Sequence, residues 1–87
     1  MFEKNFFFFF VKIFFFALEI KRLENSLKHL IRSNEEMEEF IKMEKQEDTI
    51  LEDSIKENIT SIKKHEIKIR LLKSELDKLN NKEGITL

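Results

Sequence analysis

Residues 55–79, IKENITSIKKHEIKIRLLKSELDKL, decide the fold. Ile55, Ile62, Ile69 and Leu76 fall seven residues apart, and Leu72 and Leu79 each follow the preceding member of that series by three. Spacings that alternate between three and four place these side chains in one stripe along a helix, the pattern of a coiled coil. Carried backwards without a shift, the register assigns Ile20, Leu27, Asn34, Ile41 and Asp48 to the a series. Leu23, Leu30, Met37, Glu44, Leu51, Asn58 and His65 join Leu72 and Leu79 in the d series. Thirteen of the eighteen positions are apolar in a chain that is 38% charged, so one unbroken register accounts for most of its aliphatic residues. The expected architecture is therefore all-α, a long amphipathic coiled-coil helix over about 18–82.

Composition agrees with that reading. Proline and cysteine are absent and Gly84 is the only glycine, which leaves little vocabulary for tight turns or sheets and none for disulfides or thiolate metal sites. A chain of 87 residues with so uneven an apolar distribution has room for only a small core. Sixteen basic against seventeen acidic residues supply no bulk attraction for a phosphate backbone, so nucleic acid is not an expected partner.

The stripe is weakest at Glu44 to Asp48, where both core positions are acidic. Two unpaired buried carboxylates would cost several kcal/mol, so this stretch must face water or turn the chain. Thr49-Ile50-Leu51-Glu52 has the S/T-x-x-E form of a capping box, which would start a new helix after a break near 46–49. No glycine or proline marks a turn there, and a continuous helix stays open beside a hairpin. At the other end, Asn80-Asn81-Lys82-Glu83-Gly84 supplies a stop, with a tail over 83–87. Acidic residues crowd 35–48 and basic ones 56–82. Antiparallel pairing centred between Thr49 and Ile50 would set Ile20 against Leu79, Asn34 against His65, and Glu35 and Glu36 near Lys63 and Lys64. Asn34 and His65 are then the expected register-setting polar core.

Residues 1–17 are different in kind. Phe6 to Phe16, FFFFFVKIFFF, is an apolar tract interrupted by Lys12. At 1.5 Å per residue, Phe6 to Leu18 would measure roughly 20 Å, short of a hydrocarbon core of roughly 30 Å. Three readings are open to it. It is an anchor in which Phe6, Phe7, Phe8, Phe9, Phe10, Phe14, Phe15 and Phe16 contact a membrane through residues 6–18; a signal segment; or a pyrimidine-rich non-coding stretch joined to the true coding sequence. Secretion would also expose the sequon Asn58-Ile59-Thr60 on the stripe, where a glycan would block pairing.

No enzyme is expected. His29 and His65 have no second histidine or cysteine at metal-ligand spacing, and Glu35, Glu36, Glu38 and Glu39 form a run better suited to a solvated face than to a cleft. One glycine cannot build a phosphate loop. No cofactor, metal or small-molecule substrate is implied. Ile67 and Leu71 lie off the stripe and Ile31 and Ile59 widen it, which points to more than one helical neighbour. The expected function is a non-catalytic coiled-coil interaction subunit binding protein helices, its own or another chain's. Its seam is Leu23, Leu27, Leu30, Met37, Ile41, Leu51, Ile55, Ile62, Ile69, Leu72, Leu76 and Leu79. The alternative is a small coiled-coil protein held at a bilayer by its Phe-rich segment. The expected address is cytoplasm or nucleus, with membrane association if the tract belongs to the protein.

Overall fold

Where the stripe turns acidic, the chain folds back. The computed structural model describes residues 2–44 and 48–82, with side chains over 6–44 and 48–81. Helix α1 spans Phe2–Glu44 and helix α2 spans Thr49–Lys82, and the two pack against each other as an antiparallel hairpin. Of the two arrangements the sequence left open, the hairpin is the one formed. Glu44 is exposed and Asp48 half-buried, so neither carboxylate is driven into the core.

Asp48, not Thr49, caps the second helix. Its Oδ1 accepts the backbone N–H of Leu51 at 3.1 Å and its carbonyl accepts that of Glu52 at 2.9 Å. One of the orphan donors of α2, the Leu51 N–H, is thereby satisfied, the bond from Glu52 to the Asp48 carbonyl being the first within the helix, and Glu52 adds a negative charge in the first turn where the helix dipole favours it. The expected capping box fails because Thr49 is already helical; the residue before it supplies the shorter, better-placed oxygen. Asp48→Ala is expected to cost about 1 kcal/mol in urea unfolding, Asp48→Asn much less, and Thr49→Ala little. A Thr49→Ala loss larger than that of Asp48→Ala would reverse the assignment.

Helix α1 begins at Phe2 rather than near residue 18, passing through the Phe-rich tract without a boundary. Phe9, Ile13 and Phe16 are half-buried, and they lie in the register of Leu23 and Ile20 stepped back by sevens. The heptad pattern therefore continues into the tract. With 43 residues against 34, α1 outreaches α2 by nine residues, roughly 14 Å. The rod measures 65 × 18 × 16 Å. At the other end α2 runs to Lys82, as expected; the Gly84 stop and the 83–87 tail lie outside the described residues.

The core sits toward the open end of the hairpin. Leu23, Ile20 and Ile69 are buried, and Leu27, Leu72 and Leu76 pack on them. Each buried side chain of this size contributes about 1.5–3 kcal/mol, a modest total for two long helices.

Candidate functional site: the seam and its two flanks

Every expected seam residue lies on the inner face. Leu23 and Ile69 are buried, and Leu27, Leu30, Met37, Ile41, Leu51, Ile55, Ile62, Leu72, Leu76 and Leu79 are half-buried. The seam is thus turned onto its own chain, α1 against α2. Two helices do not seal it, and among the described residues only three hydrophobic side chains are buried.

The polar core differs from expectation. Asn58 Nδ2 donates to Asn34 Oδ1 at 2.8 Å, and Asn34 Nδ2 donates to the Ile55 carbonyl at 3.3 Å. Asn34 is buried, so its amide is satisfied where satisfaction counts most. His65 instead reaches Ser26. Its Nδ1 donates to the Ser61 carbonyl one turn earlier at 2.8 Å, leaving Nε2 to accept the Ser26 hydroxyl at 3.1 Å. Asn34 meets residue 58 rather than 65, so the pairing is displaced by one heptad from the expected alignment. The apolar stripe tolerates such a slip, and the alignment formed is the one that pairs the two asparagines across the seam. The displacement separates Glu35 and Glu36 from Lys63 and Lys64, overturning that expected contact; at this level α1 faces the stretch around Asn58.

Two cross-helix ion pairs identify the sides of the seam. Lys68 approaches Glu19 at 3.8 Å, both at g positions, and Lys73 approaches Glu24 at 3.4 Å, both at e positions. The Arg22 guanidinium also binds Glu19, and that hydrogen bond is the main reason its carboxyl is held below the usual carboxylate range. The depressed pKa makes this contribution present at neutral pH and lost as pH falls through the lowered value.

The e flank carries Ile31 and Ile59, 42% and 41% exposed, and a groove of about 660 Å³ lined by Ala17, Ile20, Glu24, Leu27, Lys28 and Ile31. The g flank is built from Ser26, Ser33, Ser54 and Ser61 through its middle. It ends toward the turn in a groove of about 470 Å³ floored by Met37, Phe40, Ile50 and Leu51. Ile67 and Leu71 are exposed on α2, as their off-stripe positions imply. The Phe tract is the most exposed apolar element. Phe6, Phe7, Phe8, Phe10, Phe14 and Phe15 all face outward, at 47–66% exposure. No described helix is long and apolar enough to cross a membrane. Among the described residues, no three histidine, aspartate or glutamate side chains converge as a metal-binding group.

The sequence reading missed Asp48 as the cap, Asn58 as the partner of Asn34, and Ser26 as the partner of His65. A signal existed for Asn58: it shares the stripe with Asn34, and like polar residues in a seam tend to be matched. Compared with known proteins, residues 12–81 match the family model described as the TMA17 helical domain, starting inside the Phe tract. No curated protein and no solved structure matches.

Proposed function

The chain belongs to the TMA17 helical domain family, and on that premise we propose that it is a non-catalytic interaction module that receives a partner helix along the e flank of its hairpin. The observation that carries this reading is the unsealed seam. Most core positions stay half-exposed, and Ile31 and Ile59 extend the apolar surface on one side. A third amphipathic helix laid along the groove would cover Ile20, Leu27 and Ile31. Such docking reads as anchors at i, i+3, i+4 and i+7 of the incoming helix. Lys28 and Glu24 at the rim would favour a partner with charges of both signs.

The membrane reading has one observation in its favour. Exposed phenylalanines at 6, 7, 8, 10, 14 and 15 cover the outer half of α1, an arc of about 200° at 3.6 residues per turn, broader than a single stripe and suited to lipid contact better than to one protein groove. Being too short and too charged to span, the segment would lie in the interface with Lys12 reaching toward headgroups.

Both readings are tested by one experiment. A photoreactive amino acid at Ile59 of the full chain in cells is expected to give a discrete adduct with another polypeptide, mapped to one helical face. The same reporter at Phe10 is expected to give lipid adducts if the tract lies in a bilayer. Solvent quenching alone at Ile59 would remove the partner-helix reading, and protein adducts alone at Phe10 would remove the membrane reading.

A further inference from the structure

The net charge of −1 conceals a strong polarity that only the fold reveals. Residues 35–57 hold ten acidic and three basic residues, a net of −7, and the hairpin gathers them at its turn end. The remaining chain holds seven acidic and thirteen basic residues, a net of +6, gathered toward the open end. A rod charged in this way attracts its own copy in the reverse direction.

The g flank carries the matching detail. From Ile50 to Leu71 the c positions beside it on α2 read Ile50, Glu57, Lys64, Leu71: apolar, acid, base, apolar, with the fifth, Lys78, lying past the ladder toward the open end. All four side chains are exposed, Ile50 at 79% and Leu71 at 62%. Reversed against itself about a point between residues 60 and 61, this ladder sets Ile50 on Leu71 and Glu57 on Lys64, each twice. Leu71 of one copy then arrives over the groove floored by Met37, Phe40, Ile50 and Leu51 of the other. On α1 the c positions His29 and Glu36 are likewise exposed and meet under a reversal centred between 32 and 33. With Asn34 opposite Asn58, the level of α1 facing 60–61 is about residue 32, so the two centres agree to about one residue, 1.5 Å. Between them lie Ser26, Ser33, Ser54 and Ser61, small enough to let helices approach closely.

We propose that two copies of this chain associate through the Glu19–Lys68 flank as an antiparallel, two-fold symmetric four-helix bundle, α1 on α1 and α2 on α2. An isologous interface requires that a patch complement itself, and the apolar–acid–base–apolar order does so. The inference rests on the reading of the hairpin as an interaction module but uses the opposite flank from the e-side groove.

Sedimentation equilibrium of the full chain at low salt is expected to give twice 10.6 kDa, with the dimer weakening as salt is raised. Glu57→Lys or Lys64→Glu alone should weaken it about tenfold, since symmetry makes each swap act at two contacts. Combining them should restore it. Leu71→Asp should weaken it further, and unchanged circular dichroism would show that these exposed positions leave the hairpin folded. A monomer up to about 100 µM, far weaker than a specific homodimer needs, overturns the proposal. So does a dimer indifferent to the swaps and to Leu71→Asp, which would place assembly on the Phe tract. A monomer that still gives the Ile59 protein adduct overturns the dimer alone and leaves the partner-helix reading standing.

Discussion

Ile69→Asp is expected to abolish the cooperative unfolding transition and most of the helical circular dichroism of the chain, while Lys68→Asp leaves both largely intact. Ile69 is one of three buried hydrophobic residues among those described and packs in the cluster with Leu23 and Ile20. An aspartate there has no cation to pair with on the inner face, and an uncompensated buried charge costs several kcal/mol. A single small core rarely supplies more than about 3–5 kcal/mol in total, so the penalty is of the same size as the whole. Helices of this length gain most of their stability from packing, so losing the seam loses the helices too. Lys68 is the neighbour in sequence but lies on the flank, where its reversal disturbs only the exposed approach to Glu19. Urea titration followed at 222 nm separates the outcomes. If Lys68→Asp proves as damaging as Ile69→Asp, flank charge rather than the seam holds the hairpin closed.

The second large effect is expected at the asparagine pair. Asn34→Leu alone leaves the Asn58 amide in the seam without its partner, a loss of about 1–3 kcal/mol. Replacing both, Asn34→Leu with Asn58→Leu, should raise the unfolding midpoint above that of the original chain, because two satisfied amides give way to apolar packing. Stability should come at the expense of uniqueness. With no amide pair to match, a slip of one heptad changes little in the seam, and polar core residues are the best-attested device for fixing register. Cysteines placed at 34 and 58 in the original background should cross-link readily, and cysteines at 34 and 65 should not. In a chain whose polar seam residues are then His65 and the acidic pair Glu44 and Asp48 at the turn, a parallel set of cysteine pairs at neighbouring seam positions should report more than one alignment. A double-leucine chain with one alignment and no gain in midpoint would show that the turn alone sets register.

Much of this architecture was legible before any coordinates. The seam residues from Leu23 to Leu79 were readable because a seven-residue spacing is a direct statement about which side of a helix a residue occupies. The acidic pair Glu44 and Asp48 marked the break, since a carboxylate in a seam needs a reason to be there. The alignment of the two arms was not readable in the same way. Asn34 could face His65 or Asn58 with most apolar residues still meeting another: the first alignment sets Ile41 against Asn58 and the second sets Leu27 against His65, so the stripe alone does not choose between alignments differing by a full repeat. The match of Asn34 with Asn58 and the turn capped by Asp48 do so together, and Asp48, which stands in the a series, resembles a core position rather than a cap. The grooves on the two flanks were hidden for a related reason: Ile31, Ile59 and Leu71 were visibly off the stripe, but which of them share a side depends on the pairing of Glu19 with Lys68 and Glu24 with Lys73. The Phe tract was set apart by its composition, whereas its Phe9, Ile13 and Phe16 obey the same spacing as the rest.

The order of the two arms has a consequence for how the protein is made. The arm that outreaches the other, with its outward-facing phenylalanines, is translated first, and none of its seam partners exists until the second arm leaves the ribosome. At about 5–20 residues per second, synthesis of the 34 residues of α2 takes roughly 2–7 seconds. During that interval the nascent chain presents its most apolar stretch with no intramolecular cover. Closure can begin at the Asp48 turn, where few residues separate the partners, and zips toward Leu23 and Ile69, so the buried cluster forms late. The nascent first arm is therefore the form of this chain on which ribosome-associated chaperones would have the longest opportunity to act.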